Sequence, residues 1–230
     1  MVRTQTRDNL GPVFDCDNHF WESSDAFTRY RDPKFRDRGL QVKEVEGVLR
    51  YVINDKFHPM LPGPAEVHPR LNPGSLLGLF SGKVKATEFK SKFDVDPASH
   101  PEWYNRDKRL AVMDDQGIET TWMFPSQAVM VEAHMSDDLD AAIEIMRAFN
   151  RWIDDEWGFA YQDRIFATPY MTLSDPDLAV KELEWCLQRG ARVVQLRHGP
   201  AITRDGTKSP AHPMFDRFWG LVQEAGITVA

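Results

Sequence analysis

Asp17 and His19 stand two residues apart in the stretch Val13-Phe14-Asp15-Cys16-Asp17-Asn18-His19-Phe20-Trp21-Glu22. The stretch opens on apolar residues and reads as a short buried strand. Residues two apart in an extended strand share a face, so a carboxylate and an imidazole project together where this strand surfaces. Such a pair is half of a divalent-metal site. Taken alone, Asp-x-His is more often a capping Asp beside a surface His. Its setting favours the metal reading, because Trp21 and Glu22 follow at once and a Ser-Ser-Asp run then opens a polar segment. Barrels and open α/β sheets build their sites where buried strands run out into loops.

Other side chains have weaker patterns. Glu22 reads either as a partner or general base beside the metal, or as a loop carboxylate. Asp15 shares the face of Asp17 but sits deeper, which suits a hydrogen-bonding part. Arg197 and His198 follow an apolar run, Val193 to Leu196. Arg197 is a candidate for binding a substrate carboxylate, and His198 is either a catalytic group or a plain loop histidine. His58, His68, His100 and His212 each precede a proline, which favours extended loop backbone over ligation. His134 has no evident partner.

The elements that must position these groups alternate. Val13 onward is a strand. Arg106 to Gln116 reads as a helix stopped by Gly117, and Ile118 to Phe124 as a strand ended by Pro125. Leu139 to Trp157 carries Ile143, Met146, Phe149, Trp152 and Ile153 near helical spacing. Ile165 to Met171 is strand-like with a bend at Pro169. Ser174-Asp175-Pro176 starts a helix running to about Arg189. Ala191 to Leu196 is a strand, Pro213 to Ala225 a helix stopped by Gly226, and Ile227 to Ala230 the start of a fifth strand. Strands separated by long helices suit parallel pairing. Between Asp25 and His100 the chain reads as irregular, with one hairpin: Glu46 to Ile53, a turn at Asn54-Asp55, and a return through Lys56-Phe57-His58. A Pro- and Gly-dense loop follows, from His58 to Gly74.

Composition bounds the function. The 230 residues allow one large α/β domain or two small ones, and seven Trp support a sizeable core. A net charge of −7 without a basic block favours neither nucleic acid nor an anionic membrane. Met1 to Gly11 lacks an apolar signal core, and no run is apolar enough to span a bilayer. The two cysteines, Cys16 and Cys186, read as buried thiols in a reducing compartment. The expected location is the cytoplasm. The fifth strand stops after four residues, so a fragment of a longer domain is expected.

Phe14 to Glu22 resembles the start of the amidohydrolase-related, metal-dependent TIM-barrel proteins, which include aminocarboxymuconate-semialdehyde decarboxylase-like enzymes. The likeness continues in Arg109-Leu110-Ala111-Val112-Met113-Asp114-Asp115-Gln116-Gly117-Ile118, Asn150-Arg151-Trp152 and Arg164-Ile165-Phe166-Ala167. It extends through Asp175 to Leu183, Gly190 to Leu196 and Phe215-Asp216-Arg217-Phe218-Trp219. Each motif is weak singly, while their order and spacing together are specific. The resemblance implies an α/β fold, a (β/α)₈ TIM barrel of the metal-dependent hydrolase type, truncated after about the start of strand 5. Residues 1–230 would be its N-terminal part, with residues 25–104 inserted after strand 1.

It also implies a divalent metal, zinc with manganese as the alternative, held by Asp17 and His19. Many relatives have His where this chain has Asp17. The remaining ligand His, the catalytic His and an Asp are expected beyond Ala230, so the chain as written is expected to be inactive. The activity implied is that of a hydrolase or non-oxidative carboxy-lyase acting on a small carboxylic, aromatic substrate. A homodimer through the insertion is expected, with no nucleic-acid or membrane partner. Two other readings compete: a non-catalytic binding module on a half barrel, and a complete five-strand flavodoxin-like sheet. The second lacks a Gly-rich phosphate loop after the first strand.

Overall fold

A computed structural model describes residues 11–58, 61, 63–64, 67–68, 70–71, 75–89 and 93–230. Its centre is a run of parallel strands: β1 (Val13–Phe20), β2 (Ile118–Pro125), β3 (Ile165–Ala167), β4 (Tyr170–Met171), β5 (Val193–Leu196) and β6 (Thr228–Val229). β1 pairs with β2 and β2 with β3, while β4 pairs with β5 and β5 with β6, all parallel. β3 and β4 are one strand broken at Thr168-Pro169. Proline has no amide hydrogen to give to a ladder, and the neighbours close the gap. Thr168 N donates to Met123 O at 2.9 Å and Gln195 N donates to Pro169 O at 2.9 Å.

Five strand positions therefore lie side by side in chain order. This overturns the flavodoxin-like alternative, whose sheet reverses direction partway. Every strand's C-terminal end faces the same edge of the sheet.

The connecting helices are α1 (Arg106–Gln116), α2 (Ala128–Ala133), α3 (Leu139–Glu156), α4 (Pro176–Leu187) and α5 (Asp216–Ala225). Asn105, Asp138 and Asp175 cap α1, α3 and α4, each side chain accepting from a first-turn amide. Gly117 and Gly226 end α1 and α5 in the left-handed conformation, with φ of 71° and 62°. After α1, the short helix α2 and a hairpin pairing Ala201–Thr203 with Gly206–Lys208 had no signal in the sequence.

The insertion after β1 is more ordered than its sequence suggests. Leu40–Val45, Val48–Ile53 and Lys56–Phe57 form a three-stranded antiparallel sheet. Asn54 and Asp55 make the expected turn with φ of 49° and 58°, and Glu46-Gly47 makes a second with 54° and 77°. Both are the positive-φ pairs of two-residue hairpins; Glu at such a position hid the second. Of the proline-rich loop, Pro59, Pro62, Pro69 and Pro73 lie outside the described residues.

An aromatic core ties the insertion to the sheet. Phe20 packs on Phe149, Trp152 and Trp157, with Trp157 stacked at 5.3 Å. Phe27 stacks on Phe149 at 4.5 Å and meets Tyr51 edge-on. Burying each such ring contributes roughly 1.5–3 kcal/mol. Arg29 bridges Asp25 to Asp155 and Glu156 in the last turn of α3, and Arg38 pairs with Asp138. Gly39 permits a close approach: a Cβ there would lie 2.5 Å from Met135 Cε. Cys186 is buried, but Cys16 is exposed and corrects the expectation of two buried thiols. It sits where β1 is bulged out of register.

Candidate metal centre at the sheet edge

β1 delivers its chemistry through an irregularity. Its pairing with β2 slips between Asp15 and Asn18, an extra residue that kinks the strand. Asp15 stabilises the kink, its Oδ1 accepting from Asp17 N at 3.1 Å and its Oδ2 from Asn18 Nδ2 at 3.0 Å. Asp17 and His19 still come together, with His19 Nε2 3.9 Å from Asp17 Oδ1. Both are open to solvent, at 90% for the Asp17 side chain and 49% for His19. Two donors on one tetrahedral zinc stand roughly 3.4 Å apart, so the pair fits two corners of one ion. Among the described residues, no three His, Cys, Asp or Glu side chains gather to hold a metal.

Glu22 points the other way. It is fully buried, and its Oε1 accepts from Gln127 N at 2.7 Å. Burial pushes its carboxyl up to about 7, against the lowering effect of the Gln127 bonds. A carboxyl enclosed in this way does not face substrate, which argues against Glu22 as a general base.

Arg197 and His198 leave the end of β5. His198 is exposed, and Arg197 is half-buried with its Nη1 enclosed and without a hydrogen-bond partner. Glu132, on α2, shares a small cavity with Arg197, beside Met171, Leu173 and Leu196. Glu132 is buried and accepts from the Tyr170 hydroxyl at 2.6 Å. Burial raises its carboxyl, against the pull of Tyr170, Thr172 and the Arg197 charge. The sequence reading passed over Glu132, although a lone acid amid Ala128-Val129-Met130-Val131 was a visible signal.

The remaining histidines are structural. His134 Nδ1 meets Met130 O at 2.9 Å, and its ring lies edge-on to His58 at 4.0 Å. His68 meets Leu49 O, His100 stacks on Trp103, and His212 accepts from Met214 N. A cavity of about 430 Å³ between α3 and α4 touches neither Asp17, His19 nor Arg197.

No protein-family model matches the chain. A crystal structure of an amidohydrolase from Mycobacterium avium subsp. paratuberculosis K-10 superposes with a TM-score of 0.88 and 38% identity, over 96% of this chain and 57% of that one. The chain is thus similar to part of an amidohydrolase over nearly its whole length. Two gamma-resorcylate decarboxylases, from Rhizobium radiobacter and Rhizobium sp. (strain MTP-10005), are each 34% identical over 125 residues. Those residues are 53% of this chain and 37% of either relative, so the match spans little more than a third of the curated relatives' length. By their names, the relatives this chain resembles are enzymes. No helix among its described residues is long and apolar enough to cross a membrane.

Proposed function

We propose that residues 1–230 form the N-terminal part of one amidohydrolase-type barrel, whose activity is non-oxidative decarboxylation of a small aromatic carboxylate. Hydrolysis is the alternative reaction on the same site. The observation that carries this reading is the exposed Asp17–His19 pair at the C-terminal edge of the parallel sheet. The names of the curated relatives favour decarboxylation over hydrolysis.

Asp17 and His19 would hold zinc, or manganese, as two of its ligands. When bound there, such an ion polarises a substrate oxygen or a water. Arg197 leaves the end of β5, on the same edge of the sheet, with an unpaired donor, which suits a substrate carboxylate. The other ligands and the acid that protonates the carbon are expected from strands outside residues 1–230. A cytoplasmic homodimer completes the proposal.

The reading frame beyond the codon for Ala230 is the first test, since it should encode a strand ending in His and later a His and an Asp. The protein it encodes is then assayed for CO₂ release from gamma-resorcylate with zinc or manganese. Asp17→Asn and His19→Ala should each cost at least about 10- to 100-fold, the range that losing even an outer partner of a ligand costs. Turnover indifferent to both substitutions would sink the assignment. Saturable binding without turnover would favour the binding-module reading.

A further inference from the structure

The side chains of Asp17 and His19 are open, but their backbone amides are taken. Asp17 N donates to Asp15 Oδ1 at 3.1 Å, and His19 N donates to Asn18 Oδ1 at 2.9 Å. Asn18 Nδ2 donates to the second Asp15 oxygen at 3.0 Å. Asp15 and Asn18 therefore hold each other, and each also holds the amide of one member of the pair. Both are half-buried, whereas Asp17 and His19 are exposed.

The strand ladder leaves this task to side chains. Asp15 pairs with Thr121 and Asn18 with Met123, while Cys16 and Asp17 have no register partner on β2. Three steps along β1 thus match two along β2. A bulge of this kind bends its strand and re-aims the side chains beside it. Short polar side chains often accept from a nearby backbone amide. Here two of them interlock, and their targets are the two candidate ligands, one each.

We infer that Asp15 and Asn18 are positioning residues, a clamp that presets Asp17 and His19 for an ion before any ion arrives. Their own oxygens are occupied by the two amides and by each other, so they act through the backbone and not as ligands. Holding the bend beforehand removes an ordering cost from binding. The consequence for binding rests on the proposed metal pair, while the amide bonds stand without it. The clamp needs one carboxylate, with two acceptors, and one carboxamide, with an acceptor and a donor. Which of the two positions carries which does not alter the bonding.

That interchangeability is the test. Asp15→Asn alone supplies one acceptor where two are needed, and Asn18→Asp alone sets two carboxylates against each other. The double substitution, Asp15→Asn with Asn18→Asp, restores one of each in exchanged places. In the metal-free 230-residue chain, each single substitution should speed hydrogen exchange at the Asp17 or His19 amide, followed by NMR, by about 2- to 10-fold, the worth of one hydrogen bond. Each should also weaken zinc binding in calorimetry by about 10- to 100-fold, the range for a group that orients a ligand. The double substitution should return both readings most of the way. A merely structural role would lower stability and leave both readings unmoved, and that result overturns the clamp. A double substitution worse than either single one overturns it equally. Should a single variant fail to fold, the unsubstituted chain decides: Asp17 and His19 amides that exchange as fast as unprotected ones overturn it. If the unsubstituted chain takes up no zinc, the proposed metal pair falls, and the exchange rates alone judge the clamp.

Discussion

The exit of β1 and the cluster where β4 and β5 end hold similar side chains in opposite surroundings. Asp17 and His19 are open to solvent and touch little besides each other. Glu132 and Tyr170 are buried and bonded to each other, with Arg197 beside them. Exposed groups cost little to keep unpaired and are free to take a ligand. Buried ones must be satisfied within the fold, and removing a partner leaves a desolvated group behind. Solvent access separates a candidate ligand set from a structural one here, where residue type does not. Glu22 blurs the division, being buried like the second group yet only three residues from His19.

The largest expected effect tests that boundary residue. Burial raises the folded-state Glu22 carboxyl from 4.5 to about 7, so folding takes up a proton. With respect to this group, stability is greatest below pH 4.5, falls as pH rises to about 7, and then levels. The span is about 3 kcal/mol. Urea unfolding at pH 5 and pH 8 should show this decline, and Glu22→Gln should flatten it; an unchanged slope would remove Glu22 from the buried class.

Next, Tyr170→Phe should cost about 1–3 kcal/mol, because the Glu132 carboxyl loses its donor. A loss much below that in thermal unfolding would mean that Glu132 finds water, and the contrast with β1 would weaken. Arg38→Ala, which removes the partly exposed pair with Asp138, should cost no more than about 1 kcal/mol, measured in the same way.

The smallest effect on stability is expected where the effect on function is greatest. His19→Ala and Asp17→Ala should change stability by less than about 0.5 kcal/mol, while each should abolish the divalent-ion binding proposed for the unsubstituted protein, with calorimetry as the measurement. A stability loss like that of Tyr170→Phe would place the pair among the structural groups.

Much of the fold was legible because its signals are local. Gly117 and Gly226 stop their helices at the expected residues, and Asp175-Pro176 starts one. Pro169 breaks its strand for want of an amide hydrogen. The α2 helix was not legible, because six residues carry too little periodicity, and neither was the Glu46-Gly47 turn, because Glu is a poor turn signal.

The sequence by itself determined the alternating elements, their caps and breaks, and the placing of Asp17 and His19 at a strand exit. Those follow from backbone sterics and side-chain spacing over a few residues. Only the tertiary structure decided the chain-order pairing of the strands, the bulge that Asp15 holds, the exposure of Cys16, and the burial of Glu22 and Glu132. Each of these depends on which distant surface lies across from a residue, as Gln127 lies across from Glu22. A neutral-range carboxyl exists only because that surface excludes water.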